Sequence, residues 1–177
     1  MEKSASIKSI AYTYGLALAI YSILVLVVIY VLNIDQESSI NYIFTALNIV
    51  VTIIIYSIAL KTYKKENSGF ISLSQALKTG MAVAVIAGLI SAVYAFIHYS
   101  YIYPEFLDMI SEQQRAAMIE NGQMSDEQIE QSLEMMSFTR SPFFMSTATL
   151  IMNVFFGFII SLIIGLIIKK KDPSLVS

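Results

Sequence analysis

No cysteine occurs among the 177 residues, so there is no disulfide framework, no thiolate metal site and no cysteine nucleophile. Charge is scarce: 14% of residues are charged and 56% hydrophobic, against the richer charge of a soluble domain. The charges fall in blocks, and four long apolar runs contain no Asp, Glu, Lys or Arg. Ionisable residues inside a membrane are the usual marks of proton relays and ion-coupled transport. Their absence weighs against a pump or coupled transporter, and leaves open a passive pore built from several copies. The chain has one histidine, His98, and hence no histidine cluster for a metal. No basic patch resembles a nucleic-acid footprint, so no nucleic-acid partner is expected, and no cofactor or metal.

What is present is apolar sequence in spans. Residues 10–32 run about 23 positions without a charge, ~34 Å as a helix, enough to cross a hydrocarbon core of ~30 Å. Lys3 and Lys8 before it have the look of a secretory signal, but the run is too long and Asn33-Ile34-Asp35-Gln36 offers no small-x-small cleavage site. It reads as a retained helix. Residues 40–60, 80–103 and 143–168 are the other spans. Backbone in a bilayer must satisfy its own hydrogen bonds, and continuously apolar runs do not alternate as barrel strands do. The expected fold is therefore all-α: one membrane domain, 1–177, of four transmembrane helices. Residues 61–69 read as a basic loop. Residues 70–79 read as an amphipathic lead-in, where Ser72 and Gln75 fit a capping box.

Lysine distribution sets the expected topology. Lys3, Lys8, Lys61, Lys64, Lys65, Lys78, Lys169, Lys170 and Lys171 fall on one side, Arg115 and Arg140 on the other. Both termini and the 61–69 loop are thus expected in the cytoplasm. The segment 104–142 is expected outside, with eight of the thirteen acidic residues and no lysine.

Small residues recur every four positions: Ala11, Gly15 and Ala19; Gly80, Ala84, Gly88 and Ala92; Gly157, Ser161 and Gly165. Each set lies on one helical face, where backbones approach closely. The structural reading is packing within the chain; the alternative is self-association through the same faces. Thr45, Asn48 and Thr52 with Asn153 are candidates for interhelical hydrogen bonds. His98, among Tyr94, Tyr99, Tyr101 and Tyr103, reads as the polar member of an aromatic interface belt rather than a pH-responsive group.

The 104–142 segment reads as two short amphipathic helices hinged at Asn121-Gly122. Phe106, Met109 and Ile110 form one apolar stripe; Ile129, Leu133 and Met136 form another, after a second capping box at Ser125 and Gln128. Neither helix is long enough to be stable alone in water, so these stripes must meet each other, the bilayer or a partner. They form the candidate interaction surface. Asp126, Glu130 and Glu134, spaced by four, suggest a hard-cation site, but no calcium-loop spacing accompanies them and a solvated face is the better reading.

From Gly69-Phe70-Ile71-Ser72-Leu73-Ser74-Gln75-Ala76-Leu77-Lys78-Thr79-Gly80 onward the chain resembles a bacterial membrane-protein family catalogued as domain of unknown function 4199. Met109, Met118, Met135 and Met136 in the acidic segment share that resemblance, as does the run from Phe156 to Gly165 before the lysine tail. The resemblance implies four helices, a bacterial source and the inner membrane, and carries no activity or functional residues. The expectation is a non-enzymatic multi-pass membrane protein, with membrane lipids and either a protein partner or a second copy as its contacts. A channel or permease component is the alternative, and a membrane-embedded enzyme a weaker one.

Because there is no native cysteine, topology is directly testable. In intact cells, a membrane-impermeant maleimide should label Glu120→Cys and leave Asn67→Cys unlabelled until the membrane is opened; the reverse pattern inverts the assignment.

Overall fold

The computed structural model describes residues 6–34 and 38–170. Lys3 and Lys171 of the lysine distribution, and Asp35 and Gln36 after the first span, lie outside the described residues. Among the described residues the chain is all-helical: α1 (Ile7–Val31), α2 (Ser39–Glu66), α3 (Leu73–Ile97), α4 (Glu105–Asn121), α5 (Asp126–Met135) and α6 (Pro142–Ile168). A π-helical turn, His98–Ile102, prolongs α3, and a 3₁₀ turn, Ser137–Arg140, precedes α6. Among the described residues four helices are long and apolar enough to cross a membrane: Ile7–Val31, Ser39–Glu66, Leu73–Ile102 and Pro142–Ile168. This is a multi-pass membrane protein. The chain divides into two compact units, Met1–Ser91 with Leu150–Ser177, and Ala92–Thr149.

In the first unit, helix starts are capped as the sequence dictates. The Ser6 hydroxyl accepts from the Ser9 amide at 3.3 Å, and the Ser38 hydroxyl from the Asn41 amide at 3.2 Å. Ser72 and Gln75 form the reciprocal box, at 2.7 and 3.2 Å. Two elements run longer than their apolar stretches. Helix α2 continues six residues beyond Leu60, to Glu66, because nothing in Lys61-Thr62-Tyr63-Lys64-Lys65-Glu66 breaks a helix and Tyr63 is buried in the core. Its last turn carries Lys64 and Lys65, a charge that favours the helix C-terminus. Helix α3 starts at Leu73, so the amphipathic lead-in and the third span are one continuous helix.

The core of this unit joins Ile10 and Leu18 of α1, Tyr56, Leu60 and Tyr63 of α2, Ala76, Val83 and Ala84 of α3, and Ile164 of α6. Small residues set how closely these helices approach. A methyl group added at Gly15 would stand 2.9 Å from Ile86 Cβ. At Gly157 it would meet Ala84 Cβ and Tyr56 Oη, both at 2.5 Å, and at Gly165 it would meet Ala76 Cβ at 2.8 Å. At Gly88 it would press on Leu150 Cδ1 (2.9 Å) and Asn153 Cβ (3.1 Å). At Gly80 it would coincide with the hydroxyl of Ser161, which is fully buried. The ends of α2, α3 and α6 are tied by polar contacts. Ile71 and Lys170 exchange backbone hydrogen bonds at 3.0 and 2.9 Å in an isolated antiparallel bridge. Lys64 Nζ donates to the Ile168 carbonyl at 2.8 Å, satisfying a free acceptor in the last turn of α6.

In the second unit the π-helical turn closes with the Tyr103 amide donating to the His98 carbonyl at 2.8 Å, and Pro104 then opens α4. Helix α4 ends at Gly122, whose φ of 62° is the left-handed conformation that glycine adopts without a Cβ penalty. Ser125 and Gln128 complete the capping box of α5. The Ser141 hydroxyl accepts from the Phe144 amide at 3.1 Å at the start of α6.

Gly80→Ala should destabilise the protein by about 1–3 kcal/mol, the usual range for overpacking, seen as a lower thermal midpoint in mild detergent. Adding Ser161→Gly should restore most of that loss, because it removes the atoms the new methyl strikes. A double variant no better than the single one would show that the contact does not set the packing.

Candidate interaction hairpin

The candidate site is the α4–α5 pair. Helix α5 has ten residues, too few to persist alone. It is held by burial of Ile129 and Leu133, 3% and 6% exposed. These two are therefore spent on the fold of their own unit, and are not open to a partner. The rest of the two stripes has a mixed fate. Phe106 is half-buried and stacks on Tyr99, ring centroids 5.1 Å apart, with Tyr103 at 5.6 Å. Met109 is exposed, its sulfur accepting from the Tyr103 hydroxyl at 3.1 Å. Ile110 and Met136 are half-buried. Met136 caps α5, its amide donating to the Ser132 carbonyl, rather than extending the helix.

Both arginines of the segment are engaged within it. Arg140 donates through one guanidinium nitrogen to the Ser111 hydroxyl on α4 and through the other to the Leu133 carbonyl at 2.6 Å. The carbonyl belongs to the last turn of α5, so the cation also complements the negative end of that helix. Arg115 pairs with Glu130 across the helices at 2.5 Å, with both side chains more than half exposed. Together Ser111, Glu112, Arg115, Glu130, Leu133, Glu134 and Arg140 line an open cleft between the helices. Its three carboxylates face two guanidinium groups already committed to closing the pair. Among the described residues no three His, Asp or Glu gather as a metal site. Asp126, Glu130 and Glu134 share a face that is exposed, with Glu130 held by Arg115.

His98 is 1% exposed, so it lies inside an aromatic cluster rather than at an open belt. Tyr94, Tyr99 and Tyr103 surround it at centroid distances of 5.7, 5.2 and 6.3 Å, the latter two edge-on. The π-helical turn that begins at His98 rotates the following tyrosines relative to the α-helical face.

Some residues that define this surface are not in either stripe. Met135 is 85% exposed, Phe138 62% and Ile119 56%. Helical spacing from Ile129 and Leu133 passes over Met135. Phe138 lies in a 3₁₀ turn, to which a 3.6-residue period does not apply.

The glycines and Ser161 of the small-residue sets, Gly15, Gly80, Gly88, Gly157 and Gly165, all face neighbouring helices of the same chain. A family model described as a protein of unknown function, DUF4199, matches residues 13–170. The chain belongs to the DUF4199 family. The matched range runs from within α1 to the end of α6 and includes the α4–α5 pair. No curated protein and no solved structure matches the chain.

Arg140→Ala should loosen the hairpin by about 2 kcal/mol, the scale of hydrogen bonds from a charged donor, and so speed amide exchange in α5 roughly 30-fold. Arg115→Ala removes only an exposed ion pair and should cost less than about 1 kcal/mol. Equal effects of the two would show that Arg140 is not the pin of the pair.

Proposed function

We propose that this is a non-enzymatic protein of the bacterial inner membrane whose α4–α5 hairpin is a contact element for a partner or the membrane surface. The observation that carries the reading is the closure of the hairpin on itself. Ile129, Leu133 and Arg140 fold the two helices together, so α4 and α5 form a shaped surface rather than a linker between spans. The lysine asymmetry supports a cytoplasmic location for both termini and the α2–α3 connection, and puts the hairpin on the opposite face. Its exposed carboxylates, among them Glu105, Asp108, Glu112 and Glu120, suit a basic or cation-bridged partner.

The alternative, a channel assembled through the glycine faces, loses its main support. Gly80, Gly157 and Gly165 are covered by Ser161, Ala84, Tyr56 and Ala76 of the same chain. A second copy would have to displace those contacts to use them.

Replacing residues 105–140 by a flexible linker in the native host should leave insertion and topology intact. It should also lower the mass of the native complex and give the phenotype of a full deletion. A linker variant that inserts normally, keeps the same complex mass and supports normal growth ends the contact-element reading.

A further inference from the structure

Three exposed apolar side chains cluster in sequence where α5 hands over to α6. Met135 is the last residue of α5, Phe138 lies in the 3₁₀ turn, and Phe143 is the second residue of α6. They are 85%, 62% and 64% exposed, in a stretch where Ile129 and Leu133 only a turn or two earlier are buried. Their depth follows from α6 itself. Its 27 residues make ~40 Å of helix, which matches a bilayer including its headgroup regions rather than the ~30 Å hydrocarbon core. The first turn of α6 therefore lies in the headgroup layer, with its inner end at the acyl boundary. Phe138 cannot be far from that level, because its ring meets the ring of Phe144 edge-on at 5.5 Å. Aromatic side chains are favoured in that interfacial layer. Arg140, the one cation of the turn, points back into the hairpin on Ser111 and Leu133.

We propose that Met135, Phe138 and Phe143 are a lipid-inserted foot that fixes the base of the hairpin in the bilayer surface. The occupant of this face is the acyl–headgroup boundary of phospholipid. The proposal rests on the reading of α4–α5 as a surface element, and it names the contact at the hairpin's base. The opposite end of the hairpin is different. Ile119 sits in the last turn of α4, ~21 Å along that helix from Glu105, beside Glu120 and the Asn121-Gly122 turn. It is not part of the foot.

The chain has no tryptophan, so a single introduced indole is an unambiguous depth reporter. Phe138→Trp, Met135→Trp and Ile119→Trp would each be reconstituted as full-length protein in phosphatidylcholine vesicles, with and without acyl chains brominated near the glycerol end. Met135→Trp guards against a folding defect at Phe138, since Met135 is almost fully exposed. At positions 135 and 138 the emission should be blue-shifted, quenched by the bromolipid and protected from aqueous iodide. At position 119 it should be water-like and iodide-sensitive. Water-like emission at both 135 and 138 overturns the foot. Equal bromolipid quenching at 119 overturns it as well, because the whole hairpin would then lie in the bilayer. None of these signals depends on complex mass, so the foot and the contact-element reading fail separately.

Discussion

Close approach of helix backbones is the constraint on which the membrane part of this protein depends. Lipid tails are as apolar as leucine, so burying an apolar side chain between helices gains little over leaving it in lipid. What remains is dispersion from dense contact, which requires that backbones come near one another. Gly80, Gly157 and Gly165 allow this between α3 and α6, and Gly15 allows it between α1 and α3. The cost is sterically explicit: at each position even one methyl group would overlap a neighbour. Tyr56 lays its hydroxyl over Gly157, so that α2, which has no small-residue ridge, packs through large side chains, with Leu60 and Tyr63 also in the core. Faces consumed inside one chain are not open to the same faces of a second copy.

At the lysine-rich end, residues on which the expected topology rests also have structural partners. Lys64 caps the last turn of α6, and the backbone of Lys170 pairs with Ile71 while its ammonium group lies over the Phe70 ring at 5.2 Å. Charge asymmetry and local geometry thus come from one set of residues. A substitution there would act on both, whereas Lys61 or Lys65, which are exposed, bear mainly on the charge.

Much of this was legible in the sequence, for identifiable reasons. Four helices follow from apolar length alone, and the capping boxes at Ser72/Gln75 and Ser125/Gln128 follow from a local pattern that tertiary structure does not override. The spacing of Gly80, Gly157 and Ser161 marks a close-packing face, though not which helix covers it. What was not legible depends on distant partners. Residues 61–66 read as loop because their charges end the apolar run, yet Tyr63 is drawn into the core and carries the helix on to Glu66. The stripes of α4 and α5 announce amphipathic helices, but cannot say that Ile129 and Leu133 are internal while Met135 is not. Arg140 has no local signature at all: its role comes from Ser111, twenty-nine positions away.

The contact of Arg140 with Ser111 governs what the hairpin presents. An amphipathic pair that used its apolar stripes on a partner would have to open or remain loosely formed without one. Here Ile129 and Leu133 are already buried, and Arg140 and Arg115 already bridge the helices, so the pair needs no partner to be ordered. Selectivity then passes to what is left outside the closed pair. Along most of its length that is carboxylate, a surface that attracts cations at long range and discriminates little by shape. At its base it is Met135, Phe138 and Phe143, apolar and next to a membrane helix. A surface divided in this way is what the proposed foot and contact element require: apolar groups at one end and charge over the rest. The closure by Arg140, more than any single stripe, is what leaves the two regions separate.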